Sequence, residues 1–146
     1  MKIQTIQYFL IRDLNKLKTE IELYQNENDL WKVEQSIANS AGVLARHLVG
    51  NLNHYIGHII CGTNYKRDRI YEFSDNKDSK EKLLQQIEET IKMLESHLPN
   101  VTQARLEQEF ELDFYGKQST YFYLIQFVSH LAYHLGQINY HRRIIG

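Results

Sequence analysis

The chain has one proline, one cysteine and one tryptophan among its 146 residues. A single proline leaves long stretches free to be helical. A single cysteine, Cys61, excludes an internal disulfide and fits a reducing, cytoplasmic setting. An excess of either charge is also missing: 17 basic and 18 acidic side chains leave a net charge of -1. With no basic stripe, a nucleic-acid partner is not expected. No apolar run approaches the roughly 20 residues that span a bilayer, so no membrane partner is expected either. The opening Met1-Lys2-Ile3-Gln4-Thr5 has no signal-peptide core. The length suits a single domain over residues 1–146, with a core that needs no covalent staple.

What is present is helical periodicity in four long segments. Ile3, Ile6, Leu10, Leu14, Leu17, Ile21 and Tyr24 recur at three- and four-residue steps. Polar Asn26-Glu27-Asn28-Asp29 ends that helix, and Leu30-Trp31 is expected to pack back on the bundle. A second stripe, Ile37, Ala41, Leu44, Leu48, Leu52, Tyr55 and Ile59, starts at a cap between Ser36 and Ser40 and stops at Gly62. Residues 63–77 are polar and predict a loop across one end of the bundle. Asp78 with Glu81 reads as a capping box for a third helix, carrying Leu83, Leu84, Ile87, Ile91, Leu94 and Leu98 before Pro99. Residues 100–118 are ambiguous. Glu109 to Phe114 alternates polar and apolar, which predicts a short extended arm turning at Tyr115-Gly116. Ser119 or Thr120 caps the last helix, with Phe127, Leu131, Leu135 and Ile138 inward. The pattern predicts an all-α, up-and-down four-helix bundle.

Histidine carries the chemistry. His130 and His134 lie four residues apart in an apolar helical pattern, so both rings share one helix face. His54 and His58 repeat the spacing. His47 sits in a third apolar segment, Leu44-Ala45-Arg46-His47-Leu48. In an up-and-down bundle helices 2 and 4 run parallel, which puts His47 about 15 Å, and His130 and His134 about 17 and 23 Å, from their helix starts. That levelling permits a three-histidine site for a divalent ion (Zn, Ni or Fe), with positions left open for water or substrate. His47 follows the stripe imperfectly, being about 100° from Leu48, and this favours a site at the bundle mouth. The blander alternative is three hydrogen-bonded packing histidines. A rival set, His54 and His58 with His141, also lies at matching heights near the other end.

The remaining candidates are secondary. Cys61 reads as a small apolar filler rather than a nucleophile. Arg67-Asp68-Arg69 with Glu72 is either a solvated charged loop or a salt-bridged lid that places an arginine near the site. Tyr121, Tyr123, Tyr133 and Tyr140 line core edges or a self-association face.

The run Ser36 to Leu52, centred on Ala45-Arg46-His47-Leu48-Val49-Gly50-Asn51, resembles the second-helix signature of DinB/YfiT-like proteins. Arg67-Asp68-Arg69 before Glu72-Phe73 resembles the arginine-rich loop of a small bacterial branch of that superfamily. His130-Leu131-Ala132-Tyr133-His134-Leu135-Gly136-Gln137 is similar to its H-x-x-x-H-x-G-Q fourth helix. The resemblance implies a four-helix bundle holding a divalent metal on His47, His130 and His134, often as a homodimer. It also implies a small-molecule substrate and, as in some relatives, a low-molecular-weight thiol used in S-transfer; a hydrolase using bound water is the neighbouring expectation. A non-catalytic, stress-related metal-binding bundle is the alternative. Ala45-Arg46 departs from the bulkier aliphatic residues frequent there, and Arg46 is expected to point away from the core.

Overall fold

The computed structural model describes residues 2–145. It is all-α, with no strand among the described residues. Helix α1 spans Lys2–Leu23 and buries the expected stripe from Ile3 to Ile21, with Tyr24 also fully buried. A 3-10 turn over Glu27–Trp31 follows, burying Leu30. Helix α2 spans Ala41–Leu52; Ser40, not Ser36, caps it by accepting from the Val43 N–H. Beyond Leu52 the chain widens into a π-helical segment, Asn53–Ile60. There Ile56 takes the core position expected of Tyr55 and Ile59, which stay half-buried. Gly62, at φ 77°, ends the run as a left-handed residue.

The short α3 spans Arg69–Glu72, and α4 spans Lys80–His97. Ser79 caps α4. The expected capping box at Asp78 does not form, because that carboxylate is engaged by Tyr71, Lys82 and Arg46. Residues 100–118 hold a short helix α5, Gln103–Glu107, and no strand pair. The expected arm survives only as isolated bridges, one joining Glu109 to Ser119, with Gly116 at φ 85° in the turn. Helix α6 spans Thr120–Ile145, with the Ser119 hydroxyl accepting from the Phe122 N–H.

Helix directions correct the up-and-down expectation. Lys2 lies over Tyr121 and Glu20 pairs with Arg142, so α1 and α6 are parallel. Lys18 pairs with Glu88 and Gln7 bonds the Leu94 carbonyl, so α4 opposes α1. Asn53 bonds Thr90 at 2.8 Å and Gly57 abuts Met93, which makes α2 and α4 parallel. The order is therefore up, down, down, up. Two successive parallel helices need a connection that returns along their length. From Ala41 to Ile60 the helix covers about 30 Å, and extended chain spans about 3.3 Å per residue, so residues 61–79 suffice.

Those residues do not cross the bundle end, as expected, but run back beside α2. Thr63 accepts from His58, Arg67 stacks on Tyr55, and Glu72 lies against Gly50. Ser74 and Asn76 present carbonyls to Arg46, each at 2.8 Å. Arg46 therefore does not face outward. It is 2% exposed, sandwiched between Trp31 and Tyr71, and pins the returning strap to α2.

Candidate metal centre

Antiparallel packing of α2 and α6 sets the level of the histidines. Arg105 holds the Thr120 hydroxyl at 2.9 Å and the Ile59 carbonyl at 3.4 Å, so those two positions are level. Twelve residues back along the α2 segment lies His47; twelve forward along α6 lies Ala132, midway between His130 and His134. The parallel register assumed from sequence is wrong. The antiparallel one brings the same three rings together because His47 lies as far from the shared end as that midpoint does.

The three imidazoles form the one cluster of histidine, cysteine or carboxylate groups able to hold an ion among the described residues. Their candidate ligand atoms all lie within 4.8 Å of one another. His130 Nε2 is 3.3 Å from His47 Nε2 and 3.0 Å from His134 Nε2. An ion at about 2.0–2.1 Å from tetrahedrally arranged nitrogens would space them about 3.3 Å apart. The two spacings at His130 are near that edge length, and the third pair lies within 4.8 Å.

Proton placement makes the same point. His47 Nδ1 is 3.3 Å from Glu72 Oε1, a carboxylate that can only accept, so Nδ1 carries the hydrogen and Nε2 a lone pair. Arg67 Nη2 also comes within 3.3 Å of this nitrogen, but its shorter bonds of 2.8 and 2.9 Å go to Glu72. On α6, His134 Nδ1 donates to Gln137 Oε1 at 2.6 Å, again leaving Nε2 as a lone pair. His130 can donate one Nε2 hydrogen to only one of these neighbours, and its buried Nδ1 has no partner. Nitrogens of three rings facing one point, two of them with lone pairs placed there, could hold a cation.

Electrostatics favour the neutral form of the two α6 rings. Burial, then His134 and His47, pushes His130 down to about 4. Burial also lowers His134, against the opposing bond to Gln137. Burial alone would raise Glu72, but the bonds from His47 and Arg67 outweigh it and hold the carboxyl below its ordinary value. Glu72 is buried and ionised through its bidentate pair with Arg67. His47 is only 8% exposed because the strap covers it, with Phe73 packing on its ring at 5.1 Å. The mouth position inferred from sequence is closed on that side.

Glu72 and Gln137 are the acceptors that sequence reasoning did not identify. Gln137 had a signal: it lies three residues after His134, on the same helix face. Glu72 had none beyond proximity to arginine. Its seat depends on Gly50, where an added Cβ would lie 1.9 Å from Glu72 Oε2. Of the two readings of the charged loop, the salt-bridged one is observed, with Arg67 reaching the site.

The rival histidines do not converge. His54 and His58 stack at 6.0 Å, and His58 Nδ1 donates to Thr63 O. His141 instead lies between the Tyr24 hydroxyl, at 2.6 Å, and the Lys32 carbonyl, at 2.8 Å. Cys61 is half-buried and burial pushes its thiol up to about 11, which disfavours the nucleophilic thiolate. Tyr123 is buried in the core, whereas Tyr133 and Tyr140 are exposed.

A family model described as a protein of unknown function, DUF1572, matches residues 7–146. That span is nearly the whole chain and is consistent with a DinB/YfiT-like superfamily member. No curated protein matches the chain.

Proposed function

The chain belongs to the DUF1572 family, and we propose that it is a divalent-metal-dependent enzyme of the thiol S-transferase or hydrolase type, with His47, His130 and His134 as ligands. The observation that carries this reading is the convergence of three imidazoles on one point, with the Nε2 lone pairs of His47 and His134 aimed there by Glu72 and Gln137 behind them. Three protein ligands favour catalysis over a purely structural ion, since closed structural sites use four. When bound, such an ion lowers the pKa of a thiol or water that completes its coordination. Glu72 fixes the tautomer and orientation of His47, and Gln137 does the same for His134. Arg67 keeps Glu72 ionised, and Phe73 excludes water from the covered side of His47. The ion's identity follows cellular supply as much as ligand type, with Zn, Ni and Fe all suited to imidazole.

Metal content of protein purified without a metal-affinity column tests the reading: about one ion per chain is expected. Chelation should then lower the melting temperature by several degrees, as removal of any tight native-state ligand does. Protein containing no ion, and taking up none from added zinc, would leave only a helical scaffold.

Assembly and setting belong to the same proposal. Among the described residues no helix is long and apolar enough to cross a membrane. The single cysteine, Cys61, suits the cytoplasm. Exposed Phe9 and Ile125 line one groove between α1 and α6, and exposed Tyr8 packs on Phe9. They would be covered in a homodimer, for which sedimentation is the measurement.

A further inference from the structure

A groove of about 610 Å³ opens beside His134, between residues 36–39 ahead of α2 and the last turns of α6. Its size is that of a small-molecule site. Polar Ser36 and Asn39 line it beside apolar walls of Ile37, Leu44, Tyr133, Tyr140 and Ile144, and Gln137 with His134 lies on the side of the histidine cluster. The last three wall residues are 66%, 64% and 71% exposed, a large apolar display beside a candidate metal centre. His141 lies in the lining, yet both its ring nitrogens are taken by Tyr24 and Lys32, so it offers no free polar atom.

No lysine, arginine, aspartate or glutamate lines this groove. Arg143 stays outside the lining and stacks on the Tyr140 ring at 5.4 Å. A second groove of similar volume, about 620 Å³, lies between α1 and α6, and it carries Arg12, Asp13, Lys16 and Glu20. The two grooves share α6 and differ in charge. The charged one does not include any of the three site histidines, and the uncharged one does. Burying an ion against the apolar walls without a partner is unfavourable, whereas a neutral ligand gains from every apolar contact.

We propose that this groove binds an uncharged, mainly apolar small molecule, held end-on to His134. Gln137 gives it one polar anchor: its Oε1 is engaged by His134, which leaves its amide N–H groups to donate to a ligand oxygen. The molecule's role as a substrate rests on the metal-enzyme reading; its binding does not.

The test uses the neutral fluorophore N-phenyl-1-naphthylamine with the full chain. Saturable fluorescence is expected at about one probe per chain. Ile37→Asp with Ile144→Asp, both at exposed positions, should weaken it about tenfold. Glutathione, an anionic thiol, should not displace the probe. His130→Ala, outside the groove, should abolish zinc uptake and leave probe affinity within about twofold. Probe binding by a wild-type protein that takes up no zinc would retain the groove and sink the metal reading alone. Three results overturn the proposal: no saturable binding, indifference to the double substitution, or displacement by glutathione. Binding that appears only on dilution of a dimer would also overturn it, because a second copy would then fill the groove.

Discussion

Two histidine pairs share one spacing in this chain and end differently. His130 and His134 lie edge to face with centroids 4.5 Å apart, and His130 Nε2 meets those of both His134 and His47. His54 and His58 lie nearly parallel at 6.0 Å, with Tyr55 rather than a third imidazole packed on His54 among the described residues. The first pair stands in regular α-helix and faces a neighbouring helix. The second stands in the π segment, where His58 is spent on Thr63 O and buried His54 Nδ1 has no partner. Four-residue spacing provides adjacency and nothing more. Convergence needs an opposing helix at the right level and acceptors that aim the remaining nitrogens.

The sharpest break of this comparison is to remove each pair in turn. His130→Ala with His134→Ala should take metal content from about one ion per chain to background, while His54→Ala with His58→Ala leaves it intact, both read by elemental analysis. Equal loss from both doubles would sink the assignment.

A smaller effect comes from behind the ligands. Glu72→Gln keeps the shape but removes the charge held by Arg67, and should weaken metal affinity about 10- to 100-fold. Gly50→Ala removes no polar group, yet its Cβ would displace the Glu72 carboxylate, and it should reproduce much of that loss. A competition titration against a chromophoric chelator reads both.

Acidity acts next on the metal-free protein. His130 is pushed down to about 4 by burial and then by its histidine neighbours, whereas an unfolded chain takes up that proton near pH 6.5. Between those values the unfolded state binds more protons. The stability is fully present above about pH 6.5 and is lost as pH falls towards 4. Melting curves across that window should show the fall, and His130→Leu should flatten it. The smallest change is expected from Cys61→Ser, since the thiol is protonated and remote from the cluster; metal content should not move.

Much of the fold was legible because burial follows local periodicity. The α1 stripe from Ile3 to Tyr24 is buried as read, and so are Leu83, Ile87, Ile91, Leu94 and Leu98. Ser40 and Gly62 act as the start and stop signals their chemistry suggests. Residues 100–118 misled because the alternation from Glu109 to Phe114 finds no partner strand, only single bridges. Arg46 misled for a different reason. A guanidinium in an apolar stripe looks outward until two rings and two carbonyls surround it, and those come from residues 31 and 71–76.

Sequence alone determined which side chains could bind an ion: two imidazoles one helical turn apart are neighbours whatever the rest of the chain does. Only the tertiary structure decided that His47 joins them. That depends on α2 opposing α6, and on a strap long enough to return beside α2 and deliver Glu72 and Arg67. Local spacing follows from backbone geometry, whereas helix direction is set by how every apolar face is buried at once.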